Sequence, residues 1–279
     1  MSQLQRKLYY ILSPNMRLVV RKAFYFPIDI WEAITVTKHK YEPSKGDIYI
    51  GSGDFIKQGI HHLELLKHYL KLKPQDAILD VGSGIGRTAV ALTEYMTVKG
   101  RYEGFDVVEK GVKWCNSKIK KDFPNFNFIY VSLNNDLYND NKIKAENFKF
   151  PYPDNFFDKV FLFSVFTHLS VKETANYLCE IKRVLKPEGL CLSTFFIYSA
   201  KNEKMIANNN HFSFPYNKGD YRLMSTIVKS ANIALKETLL DELIIQAELE
   251  KLNTIEGFWK KDILNHKEND YQDIVILKA

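Results

Sequence analysis

The chain has 279 residues, with 39 Lys+Arg against 33 Asp+Glu and a net charge of +6. Apolar residues make up 46% and charged residues 26%, which excludes a disordered or collagen-like chain and suits one large α/β domain or two small ones. So mild a positive charge fits a cytosolic enzyme as well as a nucleic-acid binder and decides nothing about partners. Cys115, Cys179 and Cys191 are too scattered for a disulfide framework, and none sits in CxxC spacing, so reduced thiols and no zinc site are expected. No apolar run approaches the roughly 18 residues of a membrane span, and residues 1–21 lack the pattern of a secretory leader. A cytoplasmic location is the default expectation.

Residues 1–50 read as an N-terminal helical extension or lid, and residues 51–279 as the main domain. Leu4, Leu8, Ile11 and Leu12 recur at helical spacing until Ser13-Pro14-Asn15 breaks the run, and Leu18, Val19, Ala23 and Phe24 follow. Arg6, Lys7, Arg17, Arg21 and Lys22 face no acid within the first 25 residues. Such an arm suits a membrane surface or an acidic partner. The plainer reading is a helix packed on the main domain with its charged face in water. Gly51-Ser52-Gly53-Asp54-Phe55 is either a turn that closes over a ligand or a linker in which Asp54 caps the next helix.

From residue 59 helix and strand alternate. Helices are expected at 59–70, 86–96, 111–121 and 171–184, and strands at 77–81, 102–105, 126–131, 159–163 and 190–197. This regular βα order predicts a mostly parallel sheet with helices on both faces. Ser170-Val171-Lys172-Glu173 is a capping box opening one of those helices. Beyond residue 198 a polar loop at 199–220 leads to an expected helix at 223–232, and Ile274-Val275-Ile276-Leu277 reads as a terminal strand.

The most informative stretch is Asp80-Val81-Gly82-Ser83-Gly84-Ile85-Gly86-Arg87, where an apolar strand ends in an acid, turns through glycines and opens a helix. Gly82 and Gly84 allow a tight turn and close approach of the backbone to a ligand. N–H groups at the helix start favour polar or anionic ligand groups. A dinucleotide fingerprint would need its third glycine at position 87, which is Arg87. Asp80 would repel a pyrophosphate but suits an ammonium. S-adenosylmethionine carries a sulfonium, an α-amino group and an adenosine, and satisfies this pattern. Asp106 ends the next strand, 20 residues after Gly86, where a carboxylate can accept both ribose hydroxyls.

On these residues the chain resembles class I S-adenosylmethionine-dependent methyltransferases, well over residues 59–197 and loosely beyond. The resemblance implies a Rossmann-like, seven-stranded, mostly parallel α/β sheet with an antiparallel last strand near Ile274–Lys278. It implies that Asp80 and Gly82–Gly86, Ser83 and Gly84 among them, hold the methionine part and that Asp106 holds the ribose, with Arg87, Val107, Ser132, Leu133 and Ser164 as further cofactor contacts. Ser132-Leu133 falls where relatives often carry an acid near the adenine amino group. Phe156-Phe157-Asp158-Lys159-Val160 and Arg183-Val184-Leu185-Lys186-Pro187-Glu188-Gly189-Leu190 also match the pattern, with Pro187 and Gly189 expected to turn the chain into the fifth strand. Ser164-Val165-Phe166-Thr167-His168-Leu169, Tyr271-Gln272-Asp273 and the Gly53-Asp54-Phe55 element resemble bacterial small-molecule and sugar-pathway members more loosely.

Ser164 and His168 follow the fourth strand, on the ligand-bearing edge of such a sheet. His168 precedes a helix N-terminus, where the dipole disfavours imidazolium; a neutral ring there could take a proton from an acceptor or simply hydrogen-bond the loop. Trp259, Phe212, Phe214 and Tyr216 could wall an acceptor pocket or pack in the core. The position after the fourth strand lacks the Asn/Asp/Ser-Pro-Pro-aromatic sequence of base amino-methyltransferases and any Pro-Cys nucleophile. Lys118, Lys120 and Lys121 are a small basic cluster, which a helix face often carries. The expectation is methyl transfer from S-adenosylmethionine to a small molecule, preferably at oxygen on a sugar, glycan precursor or secondary metabolite. The other readings are RNA or protein methylation, an NAD-dependent oxidoreductase, and a cofactor-binding scaffold without transfer. Carboxylates from separate loops leave no local signature, so metal-assisted transfer stays open.

Overall fold

The computed structural model describes residues 12–51, 53–138, 143–209, 212–260 and 270–279. Leu4, Arg6, Lys7, Leu8, Ile11, Ser52 and Asn210 lie outside the described residues.

Helix α1 (Pro14–Thr35) starts at the expected break, with Pro14 in its first turn and Ser13 as N-cap. Helix α2 (Phe55–Leu70) is capped by Asp54, whose carboxylate accepts the Lys57 N–H at 2.8 Å. Then come β1 (Ala77–Val81), α3 (Arg87–Thr93), β2 (Arg101–Asp106) and α4 (Glu109–Cys115). Helix α4 runs on as a π turn over Asn116–Lys120, which carries Lys118 and Lys120. Strands β3 (Phe126–Tyr130) and β4 (Phe157–Leu162) precede α5 (Val171–Val184) and β5 (Leu185–Phe195). Strand β5 begins before Pro187, so Pro187 and Gly189 lie within an irregular strand start, with Glu188 at φ +66°.

Strands β10 (Glu250–Ile255) and β11 (Asp273–Lys278) complete a seven-stranded sheet of order β10-β11-β5-β4-β1-β2-β3. β1 pairs parallel with β4, β4 with β5, and β2 with β3, whereas β11 runs antiparallel to both β5 and β10. The reversed last strand is thus where the sequence places it. β1 is almost wholly apolar and buried, as a central strand covered on both faces must be.

The expected helix at 223–232 does not form. Strands β6 (Ile197–Tyr198), β7 (Tyr216–Asn217), β8 (Tyr221–Leu223) and β9 (Ile233–Lys236) make a second, four-stranded sheet of order β6-β9-β8-β7. The apolar spacing at 223–231 is helical, but the N–H groups are taken by other acceptors. Ser225 Oγ accepts from Ile227 and Val228, and the Asp136 carboxylate accepts from Lys229 and Ser230. Such side-chain acceptors compete directly with a helix. The helix of this region, α7 (Glu237–Gln246), follows β9; α6 (Glu203–Asn208) precedes β7.

By contacts the described residues fall into two units. One lies within Met1–Asp76, Gly82–Asn134 and Tyr138–Lys142, the other within Ala77–Val81, Asn135–Leu137 and Ile143–Ala279. In the first, α2 meets α3 at Gly59, where a Cβ would lie 2.5 Å from the Arg87 carbonyl oxygen. Helix α1 in this unit reverses the plainer expectation of a charged face in water. Arg17 and Glu32 are 4% and 7% exposed, whereas Phe24 is 72%, Trp31 61% and Ile34 81% exposed. The second unit has a core of Phe196, Tyr198, Ile206, Phe214, Ala234 and Trp259, with Phe212 and Tyr271 packed against it. Trp259, Phe212 and Phe214 are therefore core residues, while Tyr216 is exposed.

The capping box is present: Ser170 Oγ accepts the Glu173 N–H, and Glu173 Oε2 accepts the Ser170 N–H at 2.7 Å. Ser170→Ala is expected to cost about 1 kcal/mol of stability, read as a lower urea midpoint at unchanged m-value.

Candidate functional site

The glycine loop belongs to the first unit from Gly82 onward. Gly82, Gly84 and Gly86 have φ of +80°, +58° and +78°, a region that side chains with a Cβ seldom adopt. The N–H groups of Gly82 and Ser83 donate to the Phe105 carbonyl at 2.9 and 3.0 Å. The Gly84 N–H donates to Asp106 Oδ2 at 2.8 Å, and the Val108 N–H donates to Asp106 Oδ1 at 2.8 Å. One carboxylate therefore ties the glycine turn to the start of α4. Burial pushes the Asp106 carboxyl up to about 6, while the N–H groups of Val108, Gly84 and Val107 pull it down. The Val131 N–H donates to the Asp106 carbonyl at 3.0 Å and the Leu133 N–H to the Val131 carbonyl, so the chain carrying Ser132 and Leu133 leaves β3 beside Asp106.

Residues 49–51 pack on this loop. A Cβ on Gly84 would lie 3.0 Å from Ile50 Cγ2, and one on Gly111 would lie 2.5 Å from the Gly84 carbonyl oxygen. Arg87 Nη2 donates to the Ile50 carbonyl at 2.8 Å. Tyr49 Oη, Ser83 Oγ and Arg87 Nε are buried here without a hydrogen-bond partner in the chain. Buried polar atoms of this kind call for a polar ligand or water. Together with the Asp106 carboxylate they are a donor and acceptor set that fits an amino-acid and nucleoside ligand. Tyr49 is absent from the sequence reading, because a tyrosine between two isoleucines carries no motif.

The remaining candidates lie in the second unit. Asp80 is a buried residue of β1, paired in register with Phe161 of β4, two positions before Gly82. Ser164 takes φ +60° at the end of β4, held there by its N–H to Thr194 Oγ1 (2.7 Å) and its hydroxyl to Gln272 Oε1 (3.0 Å). A non-glycine residue in the left-handed region at a strand end is a common mark of a functional turn. His168 Nδ1 lies 2.8 Å from the Ser230 carbonyl oxygen, which assigns the proton to Nδ1 and the lone pair to Nε2. Burial lowers the His168 pKa, partly opposed by the hydrogen bonds to Ser230 and Ala231, so the ring is held neutral. Asp136, which the sequence reading did not single out, fixes this arrangement by accepting the Lys229 and Ser230 N–H groups at 2.8 and 3.0 Å.

Comparison with known proteins agrees with this geometry. Residues 79–193 match the family model described as a methyltransferase domain. The chain is 23% identical over 213 residues to a ubiquinone/menaquinone biosynthesis C-methyltransferase of Wigglesworthia glossinidia brevipalpis, spanning 70% of this chain and 76% of the relative. It is 28% identical over 129 residues to a sterol 24-C-methyltransferase of Gibberella zeae, spanning 46% of this chain but only 30% of the relative. In fold it matches the 1,6-didemethyltoxoflavin-N1-methyltransferase of Burkholderia thailandensis, solved with S-adenosylhomocysteine. The TM-score is 0.51 at 14% identity, over 96% of this chain and 91% of the other. With the glycine loop and the strand order, these matches identify a methyltransferase domain on residues 79–193 in a Rossmann-like class I methyltransferase fold, and the chain is an S-adenosylmethionine-dependent methyltransferase with S-adenosylmethionine as its cofactor.

Proposed function

We propose that the chain transfers a methyl group to an oxygen of a small-molecule acceptor, a sugar, glycan precursor or secondary metabolite, with His168 as the general base. The observation that carries this reading is the neutral His168 ring, held by its Nδ1–H to the Ser230 carbonyl. Its Nε2 lone pair then suits removal of a hydroxyl proton as the acceptor oxygen attacks. When bound, S-adenosylmethionine supplies an electrophilic methyl on a sulfonium. Asp80, Gly82, Ser83, Gly84, Gly86 and Arg87 hold its amino-acid part in this reading. Asp106 and Val107 hold the ribose in this reading: the Asp106 carboxylate accepts the Gly84, Val108 and Val107 N–H groups and keeps acceptor capacity for a hydroxyl. Ser132, Leu133 and Ser164 line the remaining contact. Residues 1–50 serve as an extension to a methyltransferase domain at 51–279.

Two relatives named as C-methyltransferases support a second reading, transfer to carbon. An acceptor screen with labelled methyl donor, followed by carbon NMR of the product, separates O-methyl from C-methyl. His168→Gln is expected to lower kcat by about 10²–10⁴-fold with S-adenosylhomocysteine affinity unchanged. Unchanged turnover would remove His168 from the chemistry.

A further inference from the structure

His168 is held at three points. Its N–H donates to the Val165 carbonyl at 2.9 Å, its carbonyl accepts from Asn135 Nδ2 at 3.3 Å, and its Nδ1–H donates to the Ser230 carbonyl at 2.8 Å. Asn135 is itself locked, because its Oδ1 accepts the Leu137 N–H at 3.1 Å. The Ser230 carbonyl is locked from the other side. The Asp136 carboxylate spans two successive N–H groups, those of Lys229 and Ser230, and Ser225 Oγ takes the two before them, at 3.1 and 3.3 Å. Every N–H from residue 227 to residue 230 is thus fixed by a side chain, and the carbonyl that meets the ring follows directly. By contacts, residues 135–137 group with the second unit, which holds His168 and Ser230, while residues 134 and 138 beside them group with the first. Two adjacent side chains therefore bracket one histidine: Asn135 at its backbone and Asp136, through the 229–230 turn, at its ring.

We infer that Asn135 and Asp136 are positioning residues for methyl transfer, which keep the His168 ring in one orientation and one tautomer. This rests on the reading of His168 as the base. Each acts through backbone groups, Asn135 through the His168 carbonyl and Asp136 through the turn that ends in the Ser230 carbonyl. Which ring nitrogen carries the proton is set by the hydrogen bond the ring makes. Neutral imidazole in water favours the proton on Nε2, the opposite of what the Ser230 carbonyl imposes, so the tautomer lasts only while that carbonyl stays in place. The basic nitrogen must also meet an acceptor hydroxyl within hydrogen-bond reach. A displacement of about 1 Å costs about 10²-fold in rate. Asparagine at position 136 would turn an amide N–H toward one of the two backbone N–H groups, so of these two isosteres only the carboxylate satisfies both.

The test is nitrogen-15 NMR of the histidine side chains in the full chain, saturated with S-adenosylhomocysteine at pH 8, where the ring of lowered pKa is neutral. The His168 signals are those lost in His168→Gln. Wild type should show the proton on Nδ1. Asp136→Asn and Asn135→Ala, which keep the chain folded with fewer bonds lost than Asp136→Ala, should each show a mixture of tautomers. Both should lower kcat about tenfold with the acceptor that the labelled-methyl screen returns, at unchanged S-adenosylhomocysteine affinity, and Asp136→Ala should lower it about 10²-fold. A wild-type tautomer in both variants, even with a lowered thermal midpoint, would make the two residues staples of the loop and overturn the proposal. So does wild-type kcat in both while His168→Gln is impaired. Full turnover by His168→Gln is a different failure: it sinks the base reading, and with it any part of the two residues in transfer, whatever the spectra show.

Discussion

Asp106→Ala is expected to abolish measurable S-adenosylhomocysteine binding and to lower the thermal midpoint. The Asp106 carboxylate accepts the Gly84 and Val108 N–H groups, both at 2.8 Å. Truncation leaves both donors buried without an acceptor, at about 1–3 kcal/mol each. It also frees the left-handed Gly84 from the start of α4, so the turn loses the shape a ligand would meet. Asp106→Asn keeps one acceptor oxygen but turns an amide N–H toward a backbone N–H, and should fall between wild type and alanine. The pH dependence has a defined sign. Burial raises this carboxyl from 3.8 to about 6 in the folded chain. The folded state therefore holds the proton where the unfolded state has released it. The stability contributed by that proton is complete below about pH 4 and is lost as pH rises through about 6. In the proposed ribose-binding role the hydroxyls need the ionised form, so affinity runs the opposite way and should strengthen from pH 5 to pH 7. Calorimetric titration at both pH values, on wild type and Asp106→Asn, checks this: the asparagine variant should show little pH dependence.

Asp273→Ala is expected to destabilise the chain by about 3–5 kcal/mol, the range for removing one partner of a buried ion pair. Asp273 is fully buried. It accepts the Ile197 N–H at 2.7 Å, the Gly257 N–H at 2.9 Å and Trp259 Nε1–H at 2.7 Å, and Lys260 Nζ lies 3.1 Å away. One side chain at the start of β11 thus fastens the β5–β6 turn and the segment after β10. Without it, three donors lose their acceptor beside the cluster of Phe196, Phe214 and Trp259, and the Lys260 ammonium keeps only Glu256, at 3.3 Å. A urea melt followed by tryptophan fluorescence measures the loss. A change below 1 kcal/mol would show that water replaces the carboxylate at no cost.

Much of the sheet was legible because its signals are local. Ala77–Val81 and Val171–Val184 form at their expected bounds, one as an uninterrupted apolar run and the other behind a capping box. The glycine turn was legible for the same reason: three left-handed positions within five residues strongly favour glycine at each. What stayed hidden depends on partners distant in sequence. The acceptors that turn 223–232 away from a helix include Asp136, more than 90 residues upstream. Tyr49 and Asp273 gain their places only when Gly111 and Trp259 are folded against them. The composition of α1 was plain, but which face turns outward is set by Lys38 and Lys45, which pair with Glu32 and which a single-helix pattern does not contain.

Strand β11 follows β5 and β10 in the chain yet lies between them, bonded on both edges. During refolding those two neighbours must wait with bare backbone amides and carbonyls facing each other across a missing slat. Bare edges of that sort recruit foreign strands, and pairings this distant in sequence are slow to close. The yield of recovered enzyme should therefore fall steeply with protein concentration, as intermolecular zippering outruns the late insertion.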